Sequence, residues 1–526
     1  MSAIPGQTYS GPMRRQVSVA GKIGLSHALL LVSVAVAAVV WGVTLIIGAR
    51  GYDLIKFISL LGIFGIACAF FMVSRSAEGF ASVFEIPVFM TVLAFLEFGI
   101  APLASFADPS MLFSKLHGDT STLYPALQIV ILGMIAFWLG AELARSRKRA
   151  RAVQGPPPVQ AAGRSTLTLG FGAILYLASF ATKVYMLRTG MYGFLGSLDI
   201  YYSHLAQAQV LMTLSSFGFY ALILFSIEAY FHPRDQFRKW AFRAVFASEC
   251  VWGLFSGMKS GLLLNFMAVA LVASFATKKL RIRWLAVAIL GLIVIYPLVN
   301  RYREVSSKLS NEWSTRFTTA GQAMHEAAER SAAQERSTGE YLQSGWSASV
   351  ERVNMLACVA LIMSYKDEAY RLQGDEHLWM LPIWAFVPRF IWRDKPVLDV
   401  GVKVTQALTS GSRETSSTAI TIPGDLYLRY NGFIGILGGM FALGLAAQWL
   451  TNPVKLLPSK RNLFIYGCIF FPVANWEADF FGLVAGLIRA LVILYVLAWI
   501  LYGPARPPST LKANRATAGP GTETGK

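Results

Sequence analysis

Apolar runs of about twenty residues recur along the chain, and short polar stretches holding many of its lysines and arginines separate them. A hydrocarbon core takes roughly 20 apolar residues to cross as a helix. The pattern therefore predicts membrane spans over 25–47, 54–73, 83–102, 124–144, 167–187, 208–230, 240–257, 260–276, 284–299, 431–450, 462–475 and 483–502. The expected fold class is all-α: a polytopic transmembrane helix bundle of about 12 spans, since a helix satisfies its own backbone in lipid. The runs on either side of Gly257 to Ser260 nearly touch, and 462–475 is short and interrupted at Pro472.

One polar segment is far longer than the rest. Residues 300–430, between spans nine and ten, carry fifteen basic residues, eleven of them Arg, and fifteen acidic ones. Apolar stretches at 353–363 and 378–392 argue that this large extracytoplasmic loop is a helical cap, with one or two interfacial or re-entrant segments packed on the bundle. The stretch 320–336 reads as a short amphipathic helix. The expected organisation is an N-terminal bundle over 1–299 with a Pro-rich cytoplasmic linker at 145–166, the loop subdomain 300–430, C-terminal spans over 431–503 and a disordered tail over 504–526.

Composition agrees with the pattern. The 526 residues are 55% hydrophobic and 14% charged, against about 25% charged in soluble domains, which excludes a soluble enzyme, a disordered chain and a secreted mini-protein. A net charge of +18 would suggest nucleic acid in a soluble protein. Here the basic residues sort by side. With the N-terminus inside, the inner loops and tail carry 24 Lys and Arg, and the opposite short loops carry four: Arg50, Lys115, Arg188 and Lys259. The positive-inside rule then puts both termini on the cytoplasmic side of the membrane. The net charge of 300–430 is zero, so the whole +18 lies outside it and no nucleic-acid partner is implied. No cleavable signal precedes the first apolar run, which is long enough to stay as a span. Cys68, Cys250, Cys358 and Cys468 stand in apolar surroundings without CxxC spacing, so neither a disulfide framework nor a metal or other cofactor is expected.

Candidate chemistry concentrates in cations at the outer membrane level: Arg188 after span five, Lys259 in the turn SGMKSG, Arg301 and Arg303 after span nine, Arg352, then Arg389, Arg393 and Lys395 in VPRFIWRDKP, and Arg429 before span ten. Arginine keeps its charge and binds phosphate with a planar fork, and the diphosphate of a polyprenyl-linked sugar is the obvious phosphate at that face. The alternative for each is a headgroup or a salt bridge. Carboxylates able to take a proton from a sugar hydroxyl are Glu351, Asp425, Asp394, Asp399, Glu477 and Asp479. Each also suits a structural ion pair. His325 and His377 read as surface histidines, and Glu97 in span three needs a partner or water. The glycines of 432–444 have the spacing of close helix packing, and SGMKSGLLL lacks the spacing of a nucleotide loop.

Three stretches in order, SGMKSGLLL (256–264), VPRFIWRDKP (387–396) and GDLYLRYNGFIGILGGMFALG (424–444), resemble motifs of the bacterial O-antigen (Wzy-type) or oligosaccharide repeat-unit polymerases. Arg389, Trp392, Lys395 and Pro396 match the loop motif, and Asp425, Tyr427 and Gly432 match the late one. Lys259 stands where the family often has arginine, and a lysine is a point charge rather than a fork. The resemblance implies a metal-independent glycosyltransferase that polymerises undecaprenyl-diphosphate-linked repeat units into a surface or secreted polysaccharide, beside a flippase and a chain-length regulator of the same pathway. Arg352, Arg389, Asp425 and Glu351 would be catalytic. Arg188, Lys259, Arg301, Arg303, Arg393, Lys395 and Arg429 would hold the diphosphate, and Trp392 and Tyr427 the glycan. The rivals are an O-antigen ligase, which should need a histidine in the outer loop, and a transporter, which should carry charge deep in its spans.

Overall fold

The computed structural model describes residues 52–76, 83–145, 165–193, 204–257, 259–277, 353–365, 419–429, 432–456 and 459–503, with isolated positions in 299–305, 322–329 and 383–404. The expected spans 25–47 and 284–299, most of the linker 145–166 and the tail 504–526 lie outside the described residues. Regular structure among the described residues is helical, with no strand.

The α-helices among the described residues are α1 (Tyr52–Ser76), α2 (Ile86–Ala94), α3 (Leu103–Ala107), α4 (Leu123–Ala144), α5 (Ser165–Thr189), α6 (Leu205–Ser215) and α7 (Phe217–Phe231). They continue with α8 (Gln236–Phe255), α9 (Lys259–Thr277), α10 (Leu356–Ser364), α11 (Ile422–Arg429), α12 (Phe433–Leu456), α13 (Lys460–Val473) and α14 (Phe480–Tyr502). Between α2 and α3 the backbone makes a π-helical turn over Phe95–Ile100. Ten of the expected spans fall on these helices, and seven stretches among the described residues are long and apolar enough to cross a membrane: Asp53–Arg75, Ile86–Ala107, Thr120–Ala144, Thr168–Thr189, Leu205–Phe231, Phe433–Lys455 and Phe480–Tyr502. The apolar helix Gly261–Thr277 is shorter.

Local chemistry sets the boundaries. Asp235 caps α8 by accepting from the Arg238 N–H at 3.2 Å, and Ser459 caps α13 by accepting from Asn462 at 3.1 Å. Gly257 has φ +65°, a left-handed turn that ends α8 and keeps it apart from α9, although their apolar runs almost touch. The stretch expected as one span over 208–230 is one membrane-length stretch, Leu205–Phe231, in which Ser216 keeps helical dihedrals between α6 and α7.

The core is one large cluster in which α4 and α12 lie closest. Gly140 and Gly444 allow this, because a Cβ on Gly140 would run into the Phe441 carbonyl and one on Gly444 into the Phe137 carbonyl. The glycine spacing of 432–444 thus packs backbone on backbone. Gly444→Val is expected to cost about 1–3 kcal/mol by overpacking, seen as a lower melting temperature of the solubilised protein. The nine-residue α10 is too short to cross a membrane and is buried against α4 and α11, with Leu356 to Ile362 inaccessible.

Buried charges tie the helix ends together. Arg75, in the last turn of α1, is fully buried: Nη1 donates to Glu85 at 3.0 Å and also to Gln448, while Nη2 donates to Glu142 at 2.8 Å. Lys455 reaches the other Glu85 oxygen at 2.7 Å. Glu228 at the end of α7 accepts from Arg238 at 2.7 Å and from Lys460 at 2.8 Å. Arg75, Glu85, Glu142, Glu228, Arg238, Lys455 and Lys460 all belong to ends that the expected topology assigns to one face.

Candidate functional site

At the opposite end of the bundle two of the three sequence motifs meet. Gly424 opens the late motif because a Cβ there would come within 2.7 Å of Ile362 of α10. Gly432 closes it at φ +72°, turning the chain from α11 into α12 with its N–H on the Tyr427 carbonyl at 3.0 Å. The Tyr427 ring lies against Gly432, 3.3 Å from where a Cβ would stand. Between these glycines, α11 presents Asp425 and Arg429 one turn apart, both buried, with Arg429 Nε donating to Asp425 Oδ1 at 2.7 Å.

Asp425 Oδ2 accepts the backbone N–H of Phe480 at 2.9 Å and of Phe481 at 3.4 Å, at the first turn of α14. Burial pushes the Asp425 carboxyl above the usual carboxylate range, against the pull of Arg429, and Asp479 pushes in the same direction as burial. Both oxygens are thus occupied within the fold, and the residue pins α11 to the start of α14 while it fixes Arg429.

Phe481 joins this pair to the loop motif. The Arg429 guanidinium lies 5.2 Å from the centre of its ring, and Trp384 meets it edge-on at 5.4 Å. Trp392 packs on Trp384 at 6.4 Å. Lys395 is buried behind these rings, where its Nζ donates to the Val387 carbonyl at 3.0 Å and to that of Trp384, while Arg389 donates to the Lys395 carbonyl. These bonds fold VPRFIWRDKP back on itself. Burial, then Arg489 and Arg389, lower the Lys395 ammonium to about 8. Arg389, Lys395, Arg429 and Arg489 therefore form a cationic group around three aromatic rings, with Asp425 as its buried carboxylate among the described residues.

The remaining candidates are spread more widely. Arg188 is exposed at the end of α5, beside a separate cluster of Leu187, Trp252, Tyr302 and Val305. Lys259 begins α9. Glu351, Arg352, Arg301, Arg303, Arg393, Asp394, Asp399 and His377 lie outside the described residues. His325 is exposed and 3.5 Å from Glu329 on the next helical turn. Three members of the group escaped sequence reasoning: Trp384, Phe481 and Arg489. Arg489 left a readable signal, a lone arginine inside the apolar run FFGLVAGLIRALVILY. The aromatic pair left none, because aromatics are common throughout the chain. A further pair was missed inside the bundle, where Lys183 of α5 donates to both oxygens of Glu249 of α8 at 2.7 Å.

A family described as a domain of unknown function, DUF8712, matches residues 175–502, from within α5 to the end of α14. No curated protein and no solved structure matches the chain. The chain belongs to the DUF8712 family.

Proposed function

We propose that this member of the DUF8712 family is a membrane glycosyltransferase that extends a polyprenyl-diphosphate-linked glycan, working at the face of the bundle that carries Arg389, Lys395 and Arg429. The observation that carries this is the junction of the two motifs at Phe481, where four cations gather around Trp384, Trp392 and Phe481. A diphosphate leaving group needs its growing charge stabilised, and fixed arginine and lysine donors do that without reorganising. Indole faces beside them suit a sugar ring or the first prenyl units.

In the reaction, an acceptor sugar hydroxyl attacks the anomeric carbon of the donor. The bond from that carbon to the diphosphate oxygen breaks, its electron pair leaves with the diphosphate, and the hydroxyl proton passes to a carboxylate. Arg389 and Lys395 receive the leaving group. Asp425 is a positioning residue that holds Arg429 in place, and Glu351 and Arg352 act from the loop just ahead of α10. The cationic face is periplasmic and both termini are cytoplasmic. The 24 to four division of short-loop cations supports this orientation, as does the basic character of the opposite helix ends. Replacing His325 and His377 discriminates polymerisation from ligation, since a ligase should need a histidine of the outer loop.

An ammonium near 8 gives a direct test. Lys395 is charged below that pH and loses its charge above it, so binding of inorganic diphosphate should weaken as pH rises through about 8. Lys395→Arg should hold affinity to beyond pH 10, because a guanidinium stays protonated. Titration calorimetry of the solubilised full chain at pH 7 and 9 checks this. Equal wild-type affinity at both pH values would remove Lys395 from the phosphate site.

A further inference from the structure

A groove opens on the outer surface of the bundle between α12, α13 and α14. Leu450, Ile465 and Ile469 form its floor and are buried. Trp449 of α12 and Leu491 and Tyr495 of α14 form its walls, and with Trp449 57% and Tyr495 43% exposed the groove is open to the surrounding lipid. Asn462 also lines it, and its Nδ2 donates to the Pro453 carbonyl at 3.2 Å, fixing the last turn of α12 on the first turn of α13.

Arg461 stands beside this groove. Its guanidinium lies 5.9 Å from the centre of the Tyr495 ring, and its Nε is buried without a hydrogen-bond partner among the described residues. The cations on either side of it are matched: Lys455 to Glu85 at 2.7 Å and Lys460 to Glu228 at 2.8 Å. No carboxylate among the described residues pairs with Arg461. It also stands in the first turn of α13, where the helix dipole favours an anion. An orphaned buried donor costs free energy, and a phosphate ester removes that cost by accepting from the guanidinium fork. The aliphatic floor between two aromatic walls suits a hydrocarbon chain, and Trp and Tyr are the side chains that lie at the level of lipid headgroups. Basic pockets between membrane helices hold anionic headgroups by the same chemistry.

We propose that this groove and Arg461 form a seat for an anionic phospholipid, its phosphate on the Arg461 guanidinium and one acyl chain between Trp449 and Tyr495. The seat lies at the end of the bundle that carries Arg75 and Lys455, away from Arg389 and Lys395, and it stands independently of the transferase reading. A lipid there touches all three C-terminal helices on their outer side, so its binding stabilises their packing by mass action.

The test takes full-length protein stripped of lipid in a neutral detergent and titrates it with dioleoylphosphatidylglycerol, dioleoylphosphatidylcholine or soluble glycerol phosphate. Melting temperature and the lipid retained in native mass spectrometry are read. Wild type should retain phosphatidylglycerol, melt higher with it, and respond more weakly to phosphatidylcholine and not at all to glycerol phosphate. Arg461→Gln should weaken phosphatidylglycerol about tenfold, the size of one lost hydrogen bond to a charged group, with its lipid-free melting temperature unchanged. Arg461→Lys keeps the charge without the fork and should fall between. Leu491→Trp fills the groove with Arg461 intact and should also lose the lipid. Equal retention of both lipids by wild type, or wild-type retention by Arg461→Gln or Leu491→Trp, overturns the seat. So does displacement of the lipid by glycerol phosphate, which marks a site for a free phosphate ester, and so does Arg461→Gln protein that melts early without lipid, which marks a structural arginine.

Discussion

Arg389→Ala is expected to reduce chain extension by about 100-fold or more, the size of effect seen when one preorganised donor to a developing negative charge is removed. The protein should still insert and accumulate, because Arg389 is only half-buried and lies in the loop ahead of the C-terminal helices. Arg389→Lys keeps the charge and loses the fork, so it should fall between the two. Arg352→Ala is expected to behave as Arg389→Ala does. Polymer length on a gel reads the effect, and immunoblotting of membranes checks the protein level. Wild-type polymer from Arg389→Ala would remove the loop motif from the chemistry.

The second large effect is on stability and lies at the other end of the bundle. Arg75 joins α1 to Glu85 ahead of α2, to Glu142 of α4 and to Gln448 of α12, with its guanidinium 4.5 Å from the centre of the Phe71 ring. Breaking a buried pair by removing one partner costs about 3–5 kcal/mol, since it strands the other charge. Lys455 still reaches Glu85 at 2.7 Å, so Arg75→Met should cost near the lower end of that range. That is a large share of the roughly 5–15 kcal/mol that holds a domain folded. Arg75→Met combined with Glu85→Gln should recover part of the loss, because the stranded carboxylate is gone. The fraction surviving heating in detergent measures both. Arg75→Met melting with wild type would show that the network contributes specificity rather than stability.

The helices were largely legible because hydrophobic length marks an apolar helix: ten expected runs coincide with helices, and seven stretches among the described residues are long and apolar enough to cross a membrane. The division between α6 and α7 at Ser216 carries no mark, since the apolar run passes through it unbroken. The π turn was also hidden. It differs from an α turn by one extra residue per hydrogen-bonded ring, and FLEFGI has no composition that marks this.

In the candidate site, Arg389, Lys395, Asp425 and Arg429 were singled out from sequence, and the fold draws these four together. Sequence left the role of Asp425 open between proton acceptor and structural partner. The choice depended on the approach of Phe480 and Phe481, which follow it by more than fifty residues. The argument against a transporter relied on charge staying at the outer face. Lys183 and Glu249 depart from it, inside the bundle, although each neutralises the other. That pair was illegible because each residue alone looks like an isolated charge in an apolar run, and only the packing of α5 on α8 unites them.

The central claim is tested most directly by adding purified, reconstituted protein to lipid-linked oligosaccharide from the source strain and resolving the product on a gel. A glycosyltransferase of the proposed kind converts it into a ladder that lengthens with time and fails to form with Arg389→Ala. Unchanged oligosaccharide with folded wild-type protein, or oligosaccharide moved across the vesicle membrane without extension, would contradict it.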